Sequence, residues 1–210
     1  MGPSSSHTLG PWRAAERFLD ELETSFSLAA IDAIKVDLYG SLSLTGKGHA
    51  TDLAIILGLN GFDPETISVD SIHEIIEAVK TSKQLNLNSS YPIAFDFEND
   101  IIFNREFLPF HANGMTFTAS INGEIYKSSF YSIGGGFVVK EERTIDKANK
   151  KLKTQFPYPI DKASELLDYC INENKSISEV VYQNELSLRS DEDITNEIER
   201  IWDTMLECMY

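Results

Sequence analysis

Met115-Thr116-Phe117-Thr118-Ala119-Ser120-Ile121-Asn122-Gly123-Glu124-Ile125-Tyr126-Lys127-Ser128-Ser129-Phe130 reads as two alternating runs joined by an Asn-Gly pair. Alternation of apolar and polar residues is the period of a strand with one buried face. Asn-Gly between two such runs signals a hairpin, because the tight two-residue turn needs positive φ at both central positions. Upstream, Ile93 to Phe97 and Ile101 to Phe103 alternate as well. Downstream, Gly134-Gly135-Gly136 breaks the chain before Phe137-Val138-Val139.

On either side of this middle third the period changes. Ala14, Phe18 and Leu22 recur at helical spacing, with Glu16, Arg17, Asp20 and Glu21 on other faces and Pro11 suited to a first turn. Ile34 to Gly40 reads as a strand, Thr45 to His49 as a Gly-rich turn, and Ala50 to Leu59 as a helix closed by Asn60-Gly61. Ser71 to Leu85 reads as a further helix, with Ile72, Ile75, Ile76 and Val79 on one face. Near the end, Asp161 to Asn172, Ser176 to Leu188 and Asp191 to Met209 each begin at a plausible cap. The basic, Pro-punctuated stretch Lys147 to Tyr158 reads as a linker. The expectation is a mixed α/β (α+β) domain over residues 1–145, then a linker and helical extension over 146–210.

The composition narrows the functional classes. The chain has 210 residues, 42% hydrophobic and 24% charged, which suits a folded globular protein. Its formal net charge of -15 argues against nucleic acid or an anionic membrane as partner. No basic, apolar leader opens the sequence, and no apolar run reaches membrane-spanning length. The two cysteines, Cys170 and Cys208, are too few for a four-thiolate metal site, and a reducing cytoplasm is the simpler setting.

Three Gly-punctuated segments each hold a histidine. In Gly2-Pro3-Ser4-Ser5-Ser6-His7-Thr8-Leu9-Gly10, hydroxyl residues flank His7 just before a helix. Hydroxyls and unpaired amides at a helix start can hold a carboxylate. A Ser-rich capping turn with an idle histidine fits the same residues. The segment Gly40 to Asp52 contains Lys47 and His49 and looks at first like a phosphate loop. It has one residue too many between Gly40 and Gly46, and Gly48 follows Lys47 where Ser or Thr is needed. Lys47 can still pair with an anion, or the segment is a plain strand-to-helix loop. In Pro109-Phe110-His111-Ala112-Asn113-Gly114-Met115, Asn-Gly is first a turn signal. His73 lies on a polar helical stretch and takes no role, and no His-Glu-x-x-His is present.

Taken in order, Gly-Pro-Ser-Ser-Ser-His-Thr at 2–8, Thr-Gly-Lys-Gly-His at 45–49, Phe-His-Ala-Asn-Gly-Met at 110–115 and Tyr-Ser-Ile-Gly-Gly-Gly-Phe at 131–137 resemble the bacterial iron–sulfur L-serine dehydratases. The family usually has Pro where Ala112 stands. The resemblance implies a β domain similar in fold to the allosteric substrate-binding domain of some phosphoglycerate dehydrogenases. It also implies a following α domain, in cis or as a separate chain, whose cysteines hold a 4Fe–4S cluster. No ligand of that cluster is expected in this chain. The sequence stops inside what reads as a helix and starts at the first motif, where the family has a short preceding strand. It therefore reads as trimmed at both ends or as a separate β chain.

By the same resemblance the activity is that of L-serine ammonia-lyase, a cytoplasmic enzyme of amino-acid degradation and gluconeogenesis, assembled as a homodimer. His7 and His49 are the candidate catalytic residues, His7 as base and His49 as its orienting partner. Ser4, Ser5, Ser6, Thr8, Lys47 and Asn113 are the candidate substrate-binding residues. The alternative is a regulatory amino-acid-binding module without catalytic role. The two readings differ in whether His7 and His49 meet at an open face.

Overall fold

In the computed structural model, which describes residues 4–140 and 156–209, a wide turn at Ser5–Leu9 runs directly into α1 (Gly10–Ser25). The chain continues through β1 (Ile31–Leu38), α2 (Gly40–Thr45), a tight helical turn at Gly46–His49, α3 (Thr51–Leu59) and α4 (Val69–Ser82). Six short strands follow: β2 (Gln84–Leu87), β3 (Tyr91–Ala94), β4 (Ile101–Phe103), β5 (Gly114–Ile121), β6 (Glu124–Gly134) and β7 (Phe137–Val139). β4-β1-β5-β6-β7 form one sheet in that order, with β4 and β1 parallel and the other pairs antiparallel. β2 and β3 pair separately. This is the mixed α+β architecture expected from the periodicity.

The Asn122-Gly123 turn closes the β5–β6 hairpin with φ of 50° and 84°, both in the left-handed region. Its register lines up Val36, Phe117 and Ser128 in one row and Leu38, Met115 and Phe130 in the next, all buried. α1 covers this face. Phe18 stacks on Phe117 with ring centroids 5.0 Å apart, and Phe117 meets Phe130 edge-on at 5.8 Å. Each such side chain contributes about 1.5–3 kcal/mol by leaving water. The opposite face carries Lys35, Thr118 and Lys127, then Asp37, Thr116 and Ser129, as a one-sided antiparallel sheet should. α3 is apolar nearly all round and correspondingly buried. Gly58 lets it lie against α1, since a Cβ there would stand 2.6 Å from the Trp12 carbonyl oxygen.

Two boundaries differ from the sequence expectation. β1 starts at Ile31, ahead of Ile34, and ends at Leu38. The helix expected through Leu85 stops at Ser82, where Lys83 turns left-handed at φ 52°. Leu85 and Leu87 then alternate with exposed Gln84 and Asn86 and pair with β3. The Gly-rich segment after β1 is more regular than a loop, being α2 followed by the Gly46–His49 turn.

The chain divides into two compact units, Met1–Thr144 and Ile145–Tyr210. Most of the linker expected at 147–158 lies outside the described residues. The second unit holds α5 (Ala163–Asn172), α6 (Ile177–Leu186) and α7 (Asp191–Glu207). Ser176 and Ser190 cap the latter two, accepting from the backbone N–H of Glu179 and Asp193. No helix among the described residues is long and apolar enough to cross a membrane.

Candidate active site

β1 and β4 end, and β5 begins, at one rim of the sheet. There β1 turns sharply into α2. Gly40 makes the turn at φ +55°, where a Cβ would stand 2.3 Å from the Ala112 carbonyl oxygen. Ser41 N–H donates to that same carbonyl at 2.8 Å, and Tyr39 N–H to Gly114 O at 2.9 Å. The loop holding His111 and Asn113 is thereby fixed beside the start of α2.

The amino-terminal turn and the Gly46–His49 turn meet at this rim through a reciprocal pair of hydrogen bonds. The buried Thr8 hydroxyl donates to the His49 carbonyl at 2.7 Å, and the buried Thr51 hydroxyl donates to the His7 carbonyl at 2.5 Å. Each histidine backbone is thus held by a threonine next to, or two residues from, the other histidine. The rings lie with centroids 5.1 Å apart, inclined at 52°. Ala50, which follows His49, takes the left-handed φ of 55°. For a residue other than glycine this costs about 1–2 kcal/mol, and such strain collects at functional sites.

The His7 ring is fixed at both nitrogens. Nδ1 lies 2.8 Å from Ser6 Oγ, and Nε2 lies 2.9 Å from Ser41 Oγ. His7 is half-buried, whereas His49 is exposed. Burial, and next the neighbouring His49, hold the His7 pKa below the ordinary 6.5; a backbone contact with Ser41 acts the other way. At neutral pH His7 is therefore an uncharged imidazole, held by hydroxyls and able to accept a proton.

The remaining expected site residues serve differently. Ser4 Oγ accepts from His7 N–H at 3.3 Å, and Ser5 Oγ accepts from Gly135 N–H at 3.3 Å, tying the turn to the β6–β7 hairpin. The Lys47 ammonium sits over the Phe103 ring, 5.2 Å from its centroid. The Asn113 amide nitrogen donates to Ser132 O at 3.1 Å, and Asn113 N–H donates to His111 Nδ1 at 3.1 Å. Ser6, Thr8, His7 and His49 come together, while Lys47 and Asn113 make their contacts on the surrounding framework. His73 is exposed on α4. Sequence reasoning passed over Ser41 and Thr51. Their only signal is that both are hydroxyl residues within the Gly40–Asp52 segment.

Among the described residues, no three His, Cys, Asp or Glu side chains group as a metal ion requires, and Cys170 and Cys208 are free thiols. Among the described residues, this donor set does not suit a 4Fe–4S cluster.

An α+β domain that presents a neutral, hydroxyl-bound histidine beside a second histidine at an open rim has the parts of a proton-transfer site. The chain belongs to the serine dehydratase β-chain family, whose model, "Serine dehydratase beta chain", matches residues 1–143. It is similar to L-serine dehydratase of Haemophilus influenzae, with 43% identity over 100% of this chain and 46% of that protein. It is similar to L-serine dehydratase TdcG of Escherichia coli, with 46% identity over 98% of this chain and 45% of that protein. L-serine dehydratase of Streptomyces coelicolor is 38% identical over 100% of this chain and 47% of its own length. The chain spans about half the length of these curated relatives.

Proposed function

We propose that this chain is the β domain of an L-serine dehydratase that converts L-serine to pyruvate and ammonia, and that it supplies His7 and His49 to the active site. The pairing of the two rings at 5.1 Å, with His7 held between two serine hydroxyls, is the observation that carries the reading. In the proposed reaction His7 takes the Cα proton and the β-hydroxyl departs as the Cα–Cβ double bond forms. The resulting enamine tautomerises and is hydrolysed to pyruvate and ammonia. The Cα proton is weakly acidic, so an electrophile must act with the base. We assign it to a 4Fe–4S cluster on an α domain, in cis or in a separate chain, as a Lewis acid toward carboxylate and hydroxyl. His49, exposed beside His7, orients the substrate. Ser6 lies nearest the base, and Lys47, on the same turn as His49, provides the positive charge that a substrate carboxylate needs. The same reading makes the complete protein a cytoplasmic homodimer of amino-acid degradation, producing pyruvate for gluconeogenesis.

The test is a pyruvate assay with L-serine. The 210-residue chain alone is expected to give no turnover. In the complete protein, at matched cluster content, His7→Ala and His49→Ala should each lower kcat far more than His73→Ala. Loss of a general base typically costs about a hundredfold to ten-thousandfold. Near wild-type kcat in both variants would remove this domain from the chemistry and leave a regulatory amino-acid-binding module.

A further inference from the structure

The two serines that hold the His7 ring are not equivalent. Ser41 is tied to the framework at the start of α2. Its backbone N–H donates to Ala112 O at 2.8 Å, its carbonyl accepts from the Thr45 hydroxyl at 2.9 Å, and Gly40 before it makes the turn at φ +55°. Its hydroxyl lies 2.9 Å from His7 Nε2. Ser6 belongs to the same amino-terminal turn as His7, and among the described residues its hydroxyl bonds only His7 Nδ1, at 2.8 Å. A rotation about its own Cα–Cβ bond frees Nδ1, whereas no side-chain rotation removes the Ser41 backbone from beside Nε2. A neutral imidazole carries one N–H, so one ring nitrogen donates and the other accepts. Hydroxyls serve either way and do not choose between the nitrogens. The Ser41 backbone does choose. Its contact with the ring favours the charged imidazolium, against burial and His49. A backbone group with that effect is an acceptor, so the Ser41 carbonyl faces a ring N–H. The nitrogen on the Ser41 side is Nε2.

We propose that Ser41 is a positioning residue that holds His7 as the Nε2–H tautomer, so that Nδ1 takes the Cα proton once the Ser6 hydroxyl rotates aside. The proposal rests on the reading of His7 as base under the proposed function. In that step the Cα–H electron pair becomes the Cα–Cβ double bond as the β-hydroxyl departs. The proton becomes the Nδ1–H of an imidazolium, and the departed hydroxide later takes it to form water. Acceptors at Nε2–H favour the charge that the ring then carries, because an acceptor behind one nitrogen raises the basicity of the other.

Nitrogen-15 NMR of the 210-residue chain with labelled histidine reads the tautomer directly, the His7 signals being those lost in His7→Ala. At about pH 8 a ring whose pKa lies below 6.5 is uncharged. The expected form is Nε2–H. In Ser41→Ala the Nδ1–H form should appear beside it. In the complete protein the same variant should lower kcat for L-serine at least about tenfold and change KM less than about twofold. Ser41→Thr, which keeps the hydroxyl, should keep the wild-type tautomer and most of kcat. An Nδ1–H ring in the wild type would overturn the proposal. So would a Ser41→Ala variant whose tautomer and kcat both match the wild type. If Ser41→Ala does not fold, the wild-type tautomer decides alone. An Nε2–H ring in this chain, with no turnover of L-serine by the complete protein, would leave the hold of Ser41 on the ring standing while the proposed function fell.

Discussion

The helices of the two units are specified in opposite ways. In the first unit, α1, α3 and α4 have no side-chain hydrogen bond at their N-caps; α1 begins after Leu9, α3 after a left-handed Ala50. They hold because α1 and α3 are buried against one another and α1 lies on the sheet. In the second unit, α6 and α7 each start at a serine with a capping box, Ser176 with Glu179 and Ser190 with Asp193, yet bury almost nothing of their own. Packing can dispense with caps, and caps can define a helix before its packing partner arrives. The difference also bears on function. The packed unit can fix two histidine rings against each other, which needs a rigid frame.

The comparison can be broken most severely at the core. Phe18→Ala should destabilise the first unit by about 3–5 kcal/mol, through lost transfer energy and the cavity left under Phe117 and Tyr126. Trp202→Ala in the same 210-residue chain should change its stability by less than about 0.5 kcal/mol, because the indole is open to water. Denaturant unfolding measures both. Equal losses would mean that the second unit has a core of its own.

The caps sharpen the contrast on a smaller scale. Ser190→Ala should cost α7 about 1 kcal/mol, seen as lower helicity and faster exchange of its first turn. Ser68→Ala, at the start of α4, should be nearly neutral because Ser68 makes no capping bond. An equal loss at both positions would remove the distinction between local and tertiary specification.

The same division explains what the sequence could tell. The hairpin was legible because Asn122-Gly123 names its own turn, and α1 because Pro11 and the Ala14, Phe18, Leu22 spacing are local signals. The three histidine-bearing turns were legible as Gly-punctuated breaks in periodicity. Leu85 was misread as helix because an apolar residue after Val79 fits either period until a partner strand is known. The contacts of Ser41 and Thr51 with His7 were illegible. They join residues far apart in the chain, and a hydroxyl residue carries no mark of which carbonyl or ring it will meet. Asn113 is a candidate substrate-binding residue by resemblance alone, and the turn signal around it did not show that its amide nitrogen also donates to Ser132 O on β6. A polar residue in a turn serves the framework or the ligand according to geometry alone.

The central claim is that His7 and His49 work as a pair, with His7 as base. The most direct measurement is the pH dependence of kcat/KM for L-serine in the complete protein. Protonated His7 cannot act as a base, and its pKa is held below 6.5 by burial and then by His49. The acid limb of the wild type should therefore lie below pH 6.5. In His49→Ala, whose residual activity keeps the base but loses its depressing neighbour, the limb should move to higher pH. In His7→Ala it should vanish. An acid limb that stays in place in both variants would contradict the account.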